Sequence, residues 1–362
     1  MQLTHFDEEI GAVGRPSWSP NGASIAFTFA ELMAGSAVYT ISPDGSRLTR
    51  LNDGADPSWS PSGSQIAFVA GTAVRVMRAD GTDVRQLRGH ASIYPPAPAW
   101  THDGKRVLVQ HLRYGAAQLD LFVSNGDGSG RRRLMHTPQD EFLPAWSPGR
   151  HRIAFVRGRR SPSIWFVSSS GRGARRLHSG TYPSWSRNGK RLAYEDGGLV
   201  YTMKDRGAGS RLIGPGVMPA WSPNGKSIAL LRGNLLVVVD LRTHHSRTLD
   251  DLSCEMRGED DVTALQPPEW SPGSTKLVIT RICDYGPSTL NDAWVIDATT
   301  GVREDIDAGA GTRSRLAWSP NGRWLAFTTE YWDSRIVASR VHGSTTRRIS
   351  VSTGGDSDLD WR

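Results

Sequence analysis

One phrase recurs along the chain, built as Pro, a small residue, Trp, Ser, Pro, Asn or Asp, and Gly. It runs from Pro16-Ser17-Trp18-Ser19-Pro20-Asn21-Gly22 through copies at Trp59, Trp100, Trp146, Trp185, Trp221, Trp270 and Trp318, and ends in a truncated ninth copy, Leu359-Asp360-Trp361-Arg362. Successive Trp residues lie 41, 41, 46, 39, 36, 49, 48 and 43 positions apart. Each phrase closes in a turn and leads into a short apolar run such as Ile25-Ala26-Phe27, Ile66-Ala67-Phe68 or Ile153-Ala154-Phe155. A second run follows, for example Ile164-Trp165-Phe166-Val167, then a turn such as Asp44-Gly45, then an Arg-rich run. With the Trp segment counted, every period holds four short strands. Four antiparallel strands in about 40 residues cannot cover their own two faces, so they must stack against neighbours in a ring. The expected fold is therefore all-β, an eight-bladed β-propeller of four-stranded antiparallel blades.

A single domain over 1–362 is expected, with repeats starting near 16, 57, 98, 144, 183, 219, 268 and 316. Segments 1–15 and 351–362 either close or flank the ring, since Gln2-Leu3-Thr4 resembles the outermost-strand segment Arg47-Leu48-Thr49.

The phrases resemble the TolB-type β-propeller repeat, Pro-x-Trp-Ser-Pro-Asp-Gly followed by Ile-Ala-Phe, from residue 16 to 361. Asn stands for Asp at Asn21, Asn188, Asn224 and Asn321, and Gly follows Pro directly at Gly149 and Gly273. The resemblance implies a non-catalytic binding scaffold of the bacterial cell envelope, periplasmic or extracellular, that holds a peptide or protein at the top-face funnel. A cytoplasmic placement follows instead if Met1 is the native start, because the N-terminus shows neither a basic start nor an apolar run. The alternative is a propeller enzyme, lyase or hydrolase, with its site in the same funnel. Related propellers precede a hydrolase domain, although no Gly-x-Ser-x-Gly elbow occurs in the sequence. A weaker alternative is polyanion binding through the Arg-rich outer edges at Arg131-Arg132-Arg133, Arg172, Arg175-Arg176 and Arg347-Arg348. Charged edge strands also discourage edge-to-edge association, a sufficient structural role for the same residues.

Net charge is +7, carried by 38 Arg and only five Lys. Such a surface attracts polyanions without selectivity, and no specific nucleic-acid signature accompanies it. No stretch approaches the roughly 20 apolar residues of a spanning helix. Ten His form no ligand pattern, and Asn125-Gly126-Asp127-Gly128-Ser129 lacks the closing Glu of a calcium loop, so neither metal nor cofactor is expected. A monomer is expected.

The Trp residues themselves fill the gaps between sheets. Recognition is expected in the loops of the top face, which hold the long insertions 30–35, 90–97, 111–118, 136–143, 250–266 and 281–292. The residues three positions before each Trp ring the mouth of the central channel: Arg15, Asp56, Leu143, Tyr182, Met218, Arg315 and Asp358. In the eight full phrases Glu269 is the one residue directly before the Trp that is not small, a violation of the repeat that marks a functional site or a structural ion pair. Arg15, Asp56, Glu141, Phe142, Tyr182, Glu269 and Arg315 are the candidate partner-binding set. The two cysteines, Cys254 and Cys283, fall on neighbouring loops of periods six and seven. Either they are free thiols or they form a disulfide, which would pin the acidic loop 250–266 to blade seven and imply an oxidising compartment.

Overall fold

The computed structural model describes residues 12–31, 35–87, 97–113, 118–135, 137–149, 152–253, 267–284, 289–305, 316–329, 335–341 and 346–347. Within them the chain forms eight four-stranded antiparallel sheets, each a simple meander of consecutive strands. The blades span 12–53, 55–86, 99–133, 141–179, 181–215, 217–251, 269–305 and 317–347. They are numbered here 1 to 8. The first strand of each blade carries the Trp phrase, as the sequence implies.

The second strand of each blade is buried on both faces, because a neighbouring blade lies against each side. Phe27, Phe68, Phe155, Tyr194 and Phe327, which stand nine positions after their Trp, are fully buried, and each such side chain contributes about 2–3 kcal/mol of transfer free energy. The Ala before them has a separate task. Ala154 packs on Trp185 and Leu192 of the next blade, Ala229 on Trp270 and Leu277, and Ala326 on Trp18 and Ile25. A small residue thus receives the next blade's indole, which explains the Ile-Ala-Phe run.

Five of the eight Trp residues, at 18, 100, 185, 270 and 318, are buried, and Trp59, Trp146 and Trp221 are half-buried. In five blades the indole N–H reaches across the blade junction to the carbonyl of the residue before the preceding Trp, as in Trp100 to Ser58 at 3.0 Å, Trp185 to Ala145 at 3.0 Å and Trp270 to Ala220 at 3.0 Å. A small residue at that station lets the indole approach the main chain. Trp18 donates in the same way to Ala317 at 2.9 Å, and Phe27 and Tyr39 share a core with Ala326, Ile336 and Ala338. Blade 8 closes directly on blade 1, with four strands contiguous in sequence; segments 1–11 and 348–362 lie outside the described residues.

In seven of the eight blades, blade 4 with Ser147 being the exception, the hydroxyl residue after the Trp, Ser or at 101 Thr, ties the bottom turn. Its hydroxyl accepts the N–H five residues on, as in Ser24 to Ser19 (2.9 Å) and Ser227 to Ser222 (3.0 Å), and donates to Oδ1 two residues on, at Asn21, Asp103, Asn188, Asn224 and Asn321. Asn and Asp accept that bond equally well, so the Asn-for-Asp exchanges leave the turn unchanged. The turn in 125–129 is closed by its own side chains, Ser129 N–H donating to Asp127 at 2.8 Å.

Two sequence expectations are corrected in detail. The described residues of the insertions 111–118 and 281–292 are strand: the central hairpins of blades 3 and 7 lengthen to Arg106–Arg113 with Gln118–Asn125 and to Lys276–Asp284 with Thr289–Asp297. Asp250 and Asp251 likewise belong to the strand Ser246–Asp251, where Arg303 of blade 7 grips Asp250 with two bonds of 3.0 and 2.7 Å. The outer arginines also do more than repel edges. Arg132, Arg175 and Arg247 each donate to main-chain carbonyls in the third-to-fourth-strand turn of the following blade, at Ser170, at Arg206, and at Ala298 and Thr299.

Gly180 shows how tightly blades are joined. Its φ of 120° suits only glycine, and a Cβ there would sit 2.3 Å from the Glu195 carbonyl oxygen. Gly180→Ala is expected to destabilise the protein by about 1–3 kcal/mol. Denaturant unfolding measures this, and an unchanged midpoint would contradict the close approach.

Candidate functional site at the channel mouth

In four blades the residue three positions before the Trp is forced into the left-handed region: Asp56 (φ 52°), Leu143 (49°), Tyr182 (50°) and Met218 (52°). Each sits in a β-bulge of the innermost strand, where pairing skips between residues 55 and 58, 142 and 145, 181 and 184, or 217 and 220. A non-glycine residue pays about 1–2 kcal/mol for that conformation, so the bulge is held by its surroundings; Asp56 N–H, for example, donates to Thr28 Oγ1 of blade 1 at 2.9 Å. One backbone geometry therefore carries an acid, an aliphatic, a phenol and a thioether at equivalent stations of the first strands. Blade 7 cannot follow, since Pro267 holds that station and proline cannot take a positive φ. Its innermost strand shortens to Glu269–Trp270.

Asp56 and Tyr182 thus share one backbone geometry with Leu143 and Met218, each at the equivalent station of its own blade. Leu143 is 39% exposed, unusual for a leucine, and Phe142 beside it is half-buried. Burial and the nearby Glu195 carboxylate push the Tyr182 phenol up from its ordinary value. Arg15 lies in the innermost strand of blade 1, where only the backbone is described; Arg315 lies outside the described residues. Glu269 presents an exposed side chain from the innermost strand, yet protein surrounds the carboxyl, and that desolvation pushes its pKa up to about 7. It is reachable by water and poorly solvated at once, as a group on a channel wall would be.

Glu141 departs from the expected set. It is wholly buried, turned into the junction of blades 3 and 4. Leu121 N–H donates to one carboxyl oxygen and the Thr137 hydroxyl to the other, both at 3.3 Å. Desolvation, aided by the neighbouring Asp120 carboxylate, pushes Glu141 up to about 7 against the opposing pull of those hydrogen bonds and Arg133. Around it lies a polar network that sequence reasoning did not find: Arg133 pairs with buried Asp120 at 2.5 Å, and Gln118 donates to Thr137 O at 2.6 Å. Leu119 N–H donates to Asp140 at 2.8 Å. These bonds pin the segment entering blade 4 onto blade 3, replacing the main-chain pairing that glycine stations such as Gly180 allow elsewhere. Among the described residues no three His, Cys, Asp or Glu side chains converge to hold a metal.

Residues 56–229 match the family model described as PD40, TolB beta propeller domain. Over that stretch, just under half of the chain, the propeller is similar to the TolB beta propeller domain. Among solved structures, it resembles a putative TolB from Agrobacterium tumefaciens at 21% identity and TM-score 0.41, over 59% of this chain and 87% of that one. A Mycobacterium tuberculosis puromycin-hydrolyzing peptidase aligns at 16% identity and TM-score 0.55 over 89% of this chain, and Porphyromonas gingivalis dipeptidyl peptidase 4 at 12% and 0.57 over 92%. The chain spans 59% and 58% of those two peptidases. No curated protein matches it significantly.

Proposed function

We propose that this TolB-like propeller is a binding scaffold of the cell envelope that holds a peptide or protein at its top-face funnel. The observation that supports the reading is the ring of left-handed stations: a costly backbone geometry repeated at Asp56, Leu143, Tyr182 and Met218 while the side chains differ in every case. Repetition of the frame with variation of what it displays is how repeat proteins build recognition surfaces. Glu269 would add a carboxyl to the channel wall and Arg15 and Arg315 two cations, giving a mouth of mixed charge.

The test begins with a partner captured from envelope extract. Its affinity for Tyr182→Ala and for Glu269→Gln is then measured beside their melting temperatures. Each variant is expected to bind at least about tenfold more weakly, roughly 1.4 kcal/mol, while Lys226→Ala on the bottom face binds as the parent does. Loss confined to Lys226→Ala would place the site on the wrong face.

A second reading is favoured by one observation, the Glu269 carboxyl pushed up to about 7 by desolvation while its side chain is exposed, the range suited to general acid–base work. The peptidase likeness is one of fold and supplies no residue for it. Turnover that vanishes in Glu269→Gln would support this reading.

The disulfide belongs with the envelope proposal. Cys254 lies outside the described residues, and Cys283 falls within the strand Lys276–Asp284, opposite Leu290, rather than on a loop. Two thiols titrating in the native protein without reductant would remove the bridge and the compartment argument with it.

A further inference from the structure

A cavity of about 640 Å³ opens on the bottom face between blades 5 and 6, on the opposite side from the proposed funnel. Three departures from the repeat coincide there. The first is at the turn. In blades 1, 2, 3 and 8 the turn glycine packs on the Pro of the preceding blade's phrase, as Gly63 does on Pro20 and Gly104 on Pro61. Blade 5 has Arg187 in place of that Pro, and a Cβ placed on Gly225 of blade 6 would meet nothing within 4 Å.

The second departure concerns Arg191, six positions after its Trp. The equivalent Arg152 of blade 4 pairs with Asp205 in the next blade's third-to-fourth-strand turn at 2.9 Å, and Arg106 of blade 3 donates to Ser169 at the same place. In blade 6 that place is held by Leu241: Asp205 and Leu241 each follow the last residue of the third strand, and their N–H groups make matching bonds to Lys190 and Lys226 carbonyls at 2.9 Å. Among the described residues the Arg191 guanidinium is left with one long bond, to Thr202 at 3.5 Å.

The third is Arg211. It stands at the strand position of Arg132, Arg175 and Arg247, opposite Thr202 as they are opposite Val123, Phe166 and Val238. Those three are latched to the next blade's carbonyls, whereas Arg211 makes no such bond among the described residues.

All three arginines line one cavity with His244, and no Asp or Glu lines it. Nearby Asp240 is already taken up by the N–H groups of Arg242 and Thr243 at 2.9 and 2.7 Å. Trp221 and Leu241 supply an apolar wall, and the Trp221 indole N–H has no acceptor among the described residues. Unpaired guanidinium groups converging beside an indole suit an oxyanion attached to a flat body, since arginine binds phosphate and carboxylate in forked pairs and stacks on rings. The volume is that of a small-molecule site. We propose that the bottom junction of blades 5 and 6 binds a small organic phosphate or carboxylate through Arg187, Arg191 and Arg211, with its apolar part against Trp221 and Leu241.

The test uses phenyl phosphate, phenylacetate and inorganic phosphate as probes, titrated by calorimetry at low salt. Binding is also followed by the Trp221 indole N–H resonance, assigned from its loss in Trp221→Phe. At least one aromatic probe is expected to bind with Kd below about 1 mM and to shift that resonance, the preferred one telling phosphate from carboxylate. Arg191→Gln with Arg211→Gln should weaken it at least about tenfold, or roughly 1.4 kcal/mol. Leu241→Asp is the sharper variant, because it restores the carboxylate that Arg152 enjoys in the preceding junction; it should abolish binding and leave the melting temperature unchanged or higher. Failure of both aromatic probes to bind at about 10 mM, or undiminished binding to Leu241→Asp, overturns the site. Inorganic phosphate binding as tightly as phenyl phosphate overturns the organic ligand.

Discussion

A Trp185→Ala variant is expected to unfold with about 3–5 kcal/mol less free energy than the parent, the cost of a large-to-small change at a core aromatic. Trp185 is 8% exposed, packs among Ala154, Ile164, Leu192, Tyr194 and Met203, and donates its indole N–H to Ala145 at 3.0 Å. Removing the ring opens a cavity at the junction of blades 4 and 5 and leaves the Ala145 carbonyl without that donor. Trp221 provides the internal comparison. It is half-buried and its N–H has no acceptor among the described residues, so Trp221→Ala should cost clearly less. Urea unfolding of the two variants measures the difference; equal losses would mean that the indole hydrogen bond and the depth of burial do not govern the contribution of the repeat's tryptophan.

The blades were legible because their determinants are local and periodic. Trp, the following Ser, the turn Gly and the Ile-Ala-Phe run each serve one contact, between adjacent strands or adjacent blades, that is repeated around the ring. A sequence period then reads directly as a structural period. What could not be read is pairing between side chains far apart in sequence. The arginine latches need Arg132 to be placed beside Ser170, and the buried network needs Arg133 beside Asp120; nothing in either local sequence names the other partner. The strand extensions of blades 3 and 7 were read as loops because His111, Arg113 and Arg281 look polar, although an extended hairpin tolerates charged residues as well as a loop does.

The candidate site was legible in part for a physical reason. The stations of Asp56, Tyr182, Leu143 and Met218 follow from counting back from Trp, and the structure gives them a common cause, the left-handed bulge. Glu141 looked like a top-loop carboxylate and is instead buried, because the segment 137–141 folds back onto blade 3. The cavity at blades 5 and 6 had a visible sign in Arg187 replacing Pro, but its meaning depends on Leu241 and Arg211, which only the ring brings near.

Glu141 should make the protein less stable as pH rises through neutrality. Its folded pKa of about 7 lies above the ordinary 4.5, so between those values the folded state holds a proton that the unfolded state has lost. Stability then falls with rising pH across that window, by at most about 3 kcal/mol for a shift of this size. Asp120 opposes ionisation of Glu141 and Arg133 favours it, but desolvation is the largest cause. Glu269 acts in the same direction with a smaller effect, since its side chain reaches water. The turn aspartates act oppositely: hydrogen bonds from Thr82, Ser129 and Thr243 hold Asp80, Asp127 and Asp240 below their usual range, so their contribution is present above that range and is lost only in stronger acid. Unfolding free energies at about pH 5 and about pH 8 are expected to differ in favour of the lower pH in the parent and to differ much less in Glu141→Gln, which keeps one acceptor for Leu121 N–H or Thr137. A parent protein equally stable at both values, or a variant that retains the full slope, would show that the Glu141 carboxyl is not held neutral by its burial between blades 3 and 4.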